Sequence, residues 1–157
     1  MSLAADVLDA ARARGVMIAT AESCTGGLIV AALTEVPGSS DAVDRGFITY
    51  SNSAKQDMLG VRPDTLQAHG AVSEEVAMEM AAGALRQSAA GIAVSVTGIA
   101  GPGGSEHKPE GRVCFGIAQP FGTRTETVEF GAIGRHRVRA ATVEHALQLL
   151  MDGLRRG

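Results

Sequence analysis

Apolar positions along the chain switch period several times. Leu3, Val7, Leu8 and Ala11 recur at helical spacing and stop near Gly15. Val16 to Ala21 is a short β-branched and apolar run, which predicts a buried strand. Thr25 to Leu33 is apolar and led by glycine, a helix that ends before Pro37. Val43 to Tyr50 predicts a second strand, and Ser53–Leu59 and Pro63–His69 predict two short helices. Ser73 is placed to cap a helix running to Ser88, with Glu74 and Glu75 in a first turn where carboxylates complement the helix dipole. Ile92 to Thr97 predicts a third buried strand and Val113 to Gln119 a fourth. Thr123 to Phe130 alternates as a half-exposed hairpin partner does. Val138 to Leu154 closes the chain as a helix.

Strands that alternate with helices and are mostly apolar throughout predict a three-layer α/β/α domain with a mixed, mostly parallel sheet. The Val113–Phe130 pair, joined by a short turn at Pro120–Gly122, supplies the antiparallel part. No linker, repeat or low-complexity stretch divides residues 1–157, so one domain is expected. In such sheets ligands bind beyond the carboxyl ends of the strands. Ser23, Tyr50 and the loop opening at Gly98 each follow a strand, so three loops are expected to meet at one crevice.

Composition narrows the chemistry. A hydrophobic share of 45% against 20% charged residues specifies a folded chain. A net charge of -3, no tryptophan and one tyrosine argue against a broad nucleic-acid surface or a base-stacking platform. Two distant cysteines, Cys24 and Cys114, have neither a disulfide pattern nor metal-ligand spacing. The four histidines form no metal motif, so no metal or cofactor is expected. The first residues carry acidic side chains and no apolar signal core, and no segment is long enough to span a bilayer. A cytoplasmic protein without a membrane partner is expected.

The richest segment is Ala19 to Leu28, ATAESCTGGL. It sets Ser23 after a strand and beside the backbone N–H groups of a Gly-Gly turn, as an acyl-transfer enzyme requires of a nucleophile and its oxyanion site. Ser23 and Thr25 also suit helix capping. Cys24 is a rival nucleophile, since a thiol at a helix N-terminus can ionise readily; a small buried core residue is the plainer reading. Glu22 suits an orienting or ribose-binding carboxylate as well as an ordinary ion pair. Tyr50 and Lys55 lie five residues apart in GFITYSNSAK. A serine with a lysine, and no persuasive histidine–carboxylate arrangement, points to Ser/Lys chemistry. Lys55 must be partly neutral to serve as a base, which burial would favour. The glycine-rich loop Thr97–Gly111 matches neither GxxxxGK[ST] nor GxGxxG, but its Gly98, Gly101, Gly103 and Gly104 let backbone N–H groups approach an anion. Lys108 and His107 in that loop could add to anion binding. GRHRVR, Gly134–Arg139, sets cations at a helix start, where they oppose the dipole and can mark an anion site.

These segments also carry a resemblance. TAESCTGGLI, PGSSDAVDRGFITYSNSAKQDMLGV, HGAVSEEVAMEMAAGA and AVSVTGIAGPGGSEHKPEGRV, in that order, closely resemble the CinA C-terminal domain family. The resemblance runs from about Val16 to Phe115. It implies a metal-independent amidohydrolase that converts nicotinamide mononucleotide to nicotinate mononucleotide and ammonia, without a cofactor. The family's serine, tyrosine and lysine fall on Ser23, Tyr50 and Lys55. On that reading Ser23 attacks the carboxamide, Tyr50 and Lys55 handle the proton, and N–H groups from Cys24 through Thr25 to Gly26 hold the oxyanion. The 5′-phosphate would lie on the loop that follows Thr97, with Arg135 or Arg45, and Glu22 would meet the cationic ring.

The chain departs from the family pattern at Glu110, where an aliphatic residue is usual between proline and glycine; a carboxylate pointing inward there would repel phosphate. It also shows no pyrophosphatase-like N-terminal domain, so no second activity is expected. A homodimer is compatible with the resemblance. Two other functions compete: a non-catalytic module that binds a nucleotide or a competence partner, and an amidase for another small carboxamide. Retention of Ser23, Tyr50 and Lys55 together favours catalysis.

Overall fold

The computed structural model describes residues 2–156. In chain order its elements are α1 (Leu3–Arg14), β1 (Ile18–Glu22), α2 (Leu28–Thr34), β2 (Val43–Ile48), α3 (Asn52–Leu59), α4 (Pro63–His69), α5 (Glu74–Arg86), β3 (Ile92–Gly98), β4 (Arg112–Gln119), β5 (Gly122–Glu129) and α6 (Arg135–Arg156). The sheet order is β2-β1-β3-β4-β5. β1 runs parallel to β2 and β3, while β4 is antiparallel to both β3 and β5, so four of the five strands point the same way. This is the mixed, three-layer α/β/α arrangement expected from the alternating elements.

The two faces of the sheet differ in side-chain size, and that sets the layers. Ile18, Ile92, Val94, Val96 and Phe115 face α1, α2 and α6, packing with Leu8, Leu33, Val138 and Leu150. Ala19, Ala21 and Ala93 face the other way, against Val76, Met80 and Ala84 of α5. Small residues on that face let α5 approach closely, and the Ser95 hydroxyl donates to the Ala77 carbonyl at 2.6 Å. Each large core side chain contributes about 1.5–3 kcal/mol by burial. Behind α5, Gly83 lies so near α3 that a Cβ there would overlap the Leu59 carbonyl oxygen.

Serine caps fix three of the helix starts. The hydroxyls of Ser2, Ser51 and Ser73 accept N–H groups at the starts of α1, α3 and α5. Several boundaries differ from expectation by one to three residues, three of them close to the candidate residues. α2 begins at Leu28 rather than Thr25, because Gly26 and Gly27 turn with positive φ values of 57° and 107°. β2 ends at Ile48, and Thr49 and Tyr50 lead out of the sheet. α6 starts at Arg135, three residues before its first buried apolar residue, Val138.

The parallel register places Glu22, Ile48 and Val96 abreast. The chain therefore leaves β1 and β2 at one level, and β3 two residues later at Gly98, all at their carboxyl ends. That alignment gathers the candidate residues.

Candidate active site

Ser23 is the first residue beyond β1. Its N–H donates to the Val96 carbonyl at 3.1 Å, tying the turn to β3. Lys55 comes from the first turn of α3, whose Ser51 cap directs that turn inward. Although drawn from a polar segment, the Lys55 side chain is almost wholly buried, at 1% exposure. Its Nζ lies 2.9 Å from Ser23 Oγ, 3.0 Å from the Thr49 carbonyl and 3.3 Å from the Tyr50 carbonyl. No carboxylate lies within 4 Å of it among the described residues.

As an ammonium, Lys55 donates to all three of these partners; the same set also accommodates an unprotonated amine. A neutral amine has two N–H donors and one lone pair. The two carbonyls can only accept, so in the unprotonated form they would take both donors and leave the lone pair for the Ser23 hydroxyl. Burial holds the Lys55 pKa below its ordinary 10.5, against the opposing pull of Cys24 and Glu106. Cys24, beside Ser23, goes the other way: burial pushes its thiol up to about 12, with the Glu22 carboxylate adding to the rise. The thiol is thus not ionised near neutrality, and of the two neighbours it is Ser23 whose side chain contacts Lys55.

The backbone of the turn divides its N–H groups. Those of Cys24 and Thr25 have no acceptor among the described residues, whereas Gly26 N–H donates to the Ser23 carbonyl. Of the expected oxyanion donors this leaves the N–H groups of Cys24, which lines the crevice, and of Thr25, which is buried behind it. Gly26 serves the turn instead, and the Thr25 hydroxyl donates to Glu22 at 2.6 Å.

Glu22 does not face the crevice. It is fully buried, and its carboxylate accepts from the hydroxyls of Thr20 and Thr25 and from the N–H groups of Gly27, Ile29 and Val30. The expectation that it meets a cationic ring is corrected: it is consumed in capping α2 and fixing the turn that carries Ser23. Arg45 is likewise elsewhere. It pairs with Asp44 and donates to the Gln87 carbonyl on the sheet's outer edge. Arg139, the last residue of the GRHRVR segment, donates from α6 to the carbonyls of Cys24 and Thr25 at 3.1 and 3.2 Å. It thus holds the same turn that Glu22 holds through the Thr25 hydroxyl and the Gly27 N–H.

A crevice of about 320 Å³ opens over Ser23 and Lys55, within the range of small-molecule sites. Its lining includes Tyr50, Asn52 and Arg135 together with Thr97, Gly98, Gly101, Gly103 and Gly104. Tyr50 Oη receives a hydrogen bond from Arg135 at 3.1 Å, and Arg135 also donates to the Gly101 carbonyl at 2.7 Å. Tyr50 Oη bonds neither Ser23 nor Lys55; the residue touches the pair through its carbonyl. Arg135 has no carboxylate within 4 Å among the described residues, so its charge is free for an anion. The Thr97 hydroxyl is held by the Ala71 carbonyl.

Two loop residues also find their places. Glu110 lies behind the loop, where it accepts the Gly103 N–H at 2.6 Å and fills the space a side chain on Gly101 would need. It does not line the crevice, but it removes Gly103 N–H from anion binding. Lys108 is bound to the carbonyls of His69 and Val72, so it anchors the loop rather than offering a cation. Among the described residues no group of three His, Cys, Asp or Glu could hold a metal ion, and no helix is long and apolar enough to cross a membrane.

Comparison with known proteins places this geometry. The chain is 50% identical over 151 residues to the nicotinamide-nucleotide amidohydrolase PncC of Escherichia coli K12, covering 96% of this chain and 92% of that protein. It is 53% identical over 146 residues to a CinA-like protein of Chlorobium phaeobacteroides, covering 90% of this chain but 35% of the relative, so it spans about a third of that longer protein. The crystal structure of the competence/damage inducible protein CihA from Agrobacterium tumefaciens superposes with a TM-score of 0.93 at 51% identity, covering 98% of this chain and 93% of that one. A CinA superfamily protein of Klebsiella pneumoniae 700603 gives a TM-score of 0.95 at 37% identity, over 99% and 97% of the two chains. Residues 1–154 match the CinA C-terminal domain, and the chain belongs to that family.

Proposed function

We propose that this chain hydrolyses the carboxamide of nicotinamide mononucleotide, releasing ammonia and nicotinate mononucleotide. The observation that carries the reading is the 2.9 Å contact between Ser23 Oγ and a buried Lys55 amine whose other partners are two carbonyls. The similarity to PncC names the substrate class.

In the first half-reaction Ser23 Oγ attacks the carboxamide carbon while Lys55 Nζ takes its proton. The oxygen gains negative charge near the free N–H groups of Cys24 and Thr25. Lys55, now an ammonium, returns the proton to the departing ammonia, which leaves a nicotinoyl ester on Ser23. Water then attacks that ester with Lys55 again as base, and Ser23 recovers its proton. Tyr50 serves as wall and orienter: its carbonyl aims the amine and its hydroxyl holds Arg135. The 5′-phosphate lies against the unpaired Arg135 guanidinium and the Gly101–Gly104 turn. All proton transfers are carried by side chains of the chain itself, so the reaction is written without a metal. Two free, buried cysteines suit a reducing cytosol.

The test is to supply nicotinamide mononucleotide and nicotinamide riboside separately, with EDTA present, and to measure ammonia and the acid product. Equal yields of both from the mononucleotide, with slower turnover of the riboside, fit the proposal. Binding without ammonia release would favour a non-catalytic module. Equal turnover of the riboside would favour an amidase for unphosphorylated carboxamides, and loss with EDTA would overturn the metal-independent scheme.

A further inference from the structure

With Glu22 turned away, the crevice still contains one carboxylate. Glu106 is the only Asp or Glu among the residues that line it. It has no hydrogen bond and no ion pair within 4 Å among the described residues. Its position is built by the chain around it. Ser105 and Lys108 exchange both backbone hydrogen bonds, at 3.0 and 2.8 Å, around the two-residue tip Glu106–His107. Both tip residues have positive φ, 52° and 64°, as the tightest hairpin turn requires. Glu-His is a poor sequence for that turn compared with Asn-Gly, so the local backbone does not explain the glutamate. Lys108 then pins the turn over the crevice through the His69 and Val72 carbonyls. Gly70, without a side chain, leaves room for the carboxylate, whose Oε2 would lie 2.5 Å from a Cβ placed there.

The residues lining the crevice thus include a cation, Arg135, and an anion, Glu106, as well as the Ser23–Lys55 pair; the Lys108 ammonium lies near the Glu106 carboxylate beside Gly70, but is not within ion-pair distance of it. Nicotinamide mononucleotide has the complementary pattern, an anionic phosphate and a permanently cationic ring. We propose that Glu106 is the specificity residue for the positive charge of the pyridinium ring. This rests on the amidohydrolase reading above. Glu106 also lies near enough to the reacting centre for its charge to act on Lys55.

The test compares nicotinamide mononucleotide with its neutral isostere, the 5′-phosphate of benzamide riboside, in which carbon replaces the charged ring nitrogen. In Glu106→Gln, kcat/KM for the cationic substrate should fall roughly five- to tenfold, mainly through KM, as expected for one partly screened charge contact. The neutral isostere should change less than about twofold, and Glu106→Asp should recover part of the loss. An equal fall on both substrates would show that Glu106 only shapes the turn, and no fall on the cationic substrate would remove it from recognition; either overturns the proposal. If the wild type releases no ammonia, the amidohydrolase reading fails separately. Titration calorimetry with the same two ligands then decides the matter. Selective weakening of the cationic ligand in Glu106→Gln supports the proposal, and equal affinities overturn it.

Discussion

Replacing Lys55 by arginine separates its two possible roles. The guanidinium keeps a charge and several donors for the Thr49 and Tyr50 carbonyls and for Ser23, but it has no lone pair to accept a proton. If Lys55 merely held the loop or stabilised negative charge, arginine would serve. As a general base it cannot be replaced, and such groups contribute about 10²–10⁴ in rate. We expect kcat/KM to fall about 10³-fold in Lys55→Arg, close to 4 kcal/mol of barrier at 1.36 kcal/mol per decade. Lys55→Met should match it.

The wild-type pH profile supplies a second magnitude. An amine of ordinary pKa is unprotonated in only about one molecule in a thousand near neutrality. Burial lowers Lys55 below 10.5, so the acid limb of kcat/KM should have its midpoint below that value, with activity lost as pH falls through it. The sign carries over to stability. Between the folded value and 10.5 the unfolded chain binds the proton more readily, so wild-type stability rises with pH across that window. Lys55→Met should lack this rise. Steady-state ammonia release across pH, with thermal melts of the same proteins, reads both. Retention of more than about a tenth of wild-type turnover in Lys55→Arg would refute the reasoning against the general-base magnitude, as would an acid limb centred at or above the ordinary lysine value.

Three further outcomes follow from the same geometry. Native protein should resist alkylating reagents at Cys24 at mildly alkaline pH, because its thiol ionises only near 12; rapid modification with loss of ammonia release would contradict this. Glu22→Gln should cost about 3 kcal/mol and lower Tm by roughly 10 °C, since an amide cannot accept all five donors that the carboxylate receives; a melt within a degree or two of wild type would show the cap to be dispensable. Gly83→Ala should cost about 1–3 kcal/mol in chemical denaturation, because the new methyl overlaps the Leu59 carbonyl; an unchanged midpoint would mean that α3 and α5 are less closely fixed than described.

Much of the fold was legible because burial here follows the simplest patterns. Apolar runs such as Ile92–Thr97 are buried on both faces, and polar alternation in β5 leaves one face wet. Serines and glycines mark the helix ends. Helix starts near glycine and arginine were harder to read, since the Gly26–Gly27 turn and the polar first turn of α6 have no apolar period.

For the candidate site, the strand-end rule and local motifs drew attention to Ser23, Tyr50 and Lys55, and the register explains why they lie together. Charged residues whose roles depend on distant partners were not legible. Glu22 reads as a free carboxylate until the N–H groups of Gly27, Ile29 and Val30 are seen to converge on it. Arg139 reaches the nucleophile turn from more than a hundred residues away, and no local pattern encodes that. The Glu106–His107 tip was hidden because its sequence is atypical for the turn it adopts.

The most direct measurement is ammonia release from nicotinamide mononucleotide by Ser23→Ala beside the wild type, with both shown to be folded and to bind the substrate. Removing Oγ takes away the nucleophile while leaving the Lys55 amine and the free N–H groups of Cys24 and Thr25 in place. The account predicts substrate binding near the wild-type level with turnover reduced to background. Ammonia release by Ser23→Ala at a substantial fraction of the wild-type rate would contradict it, because the attacking group would then not be Ser23.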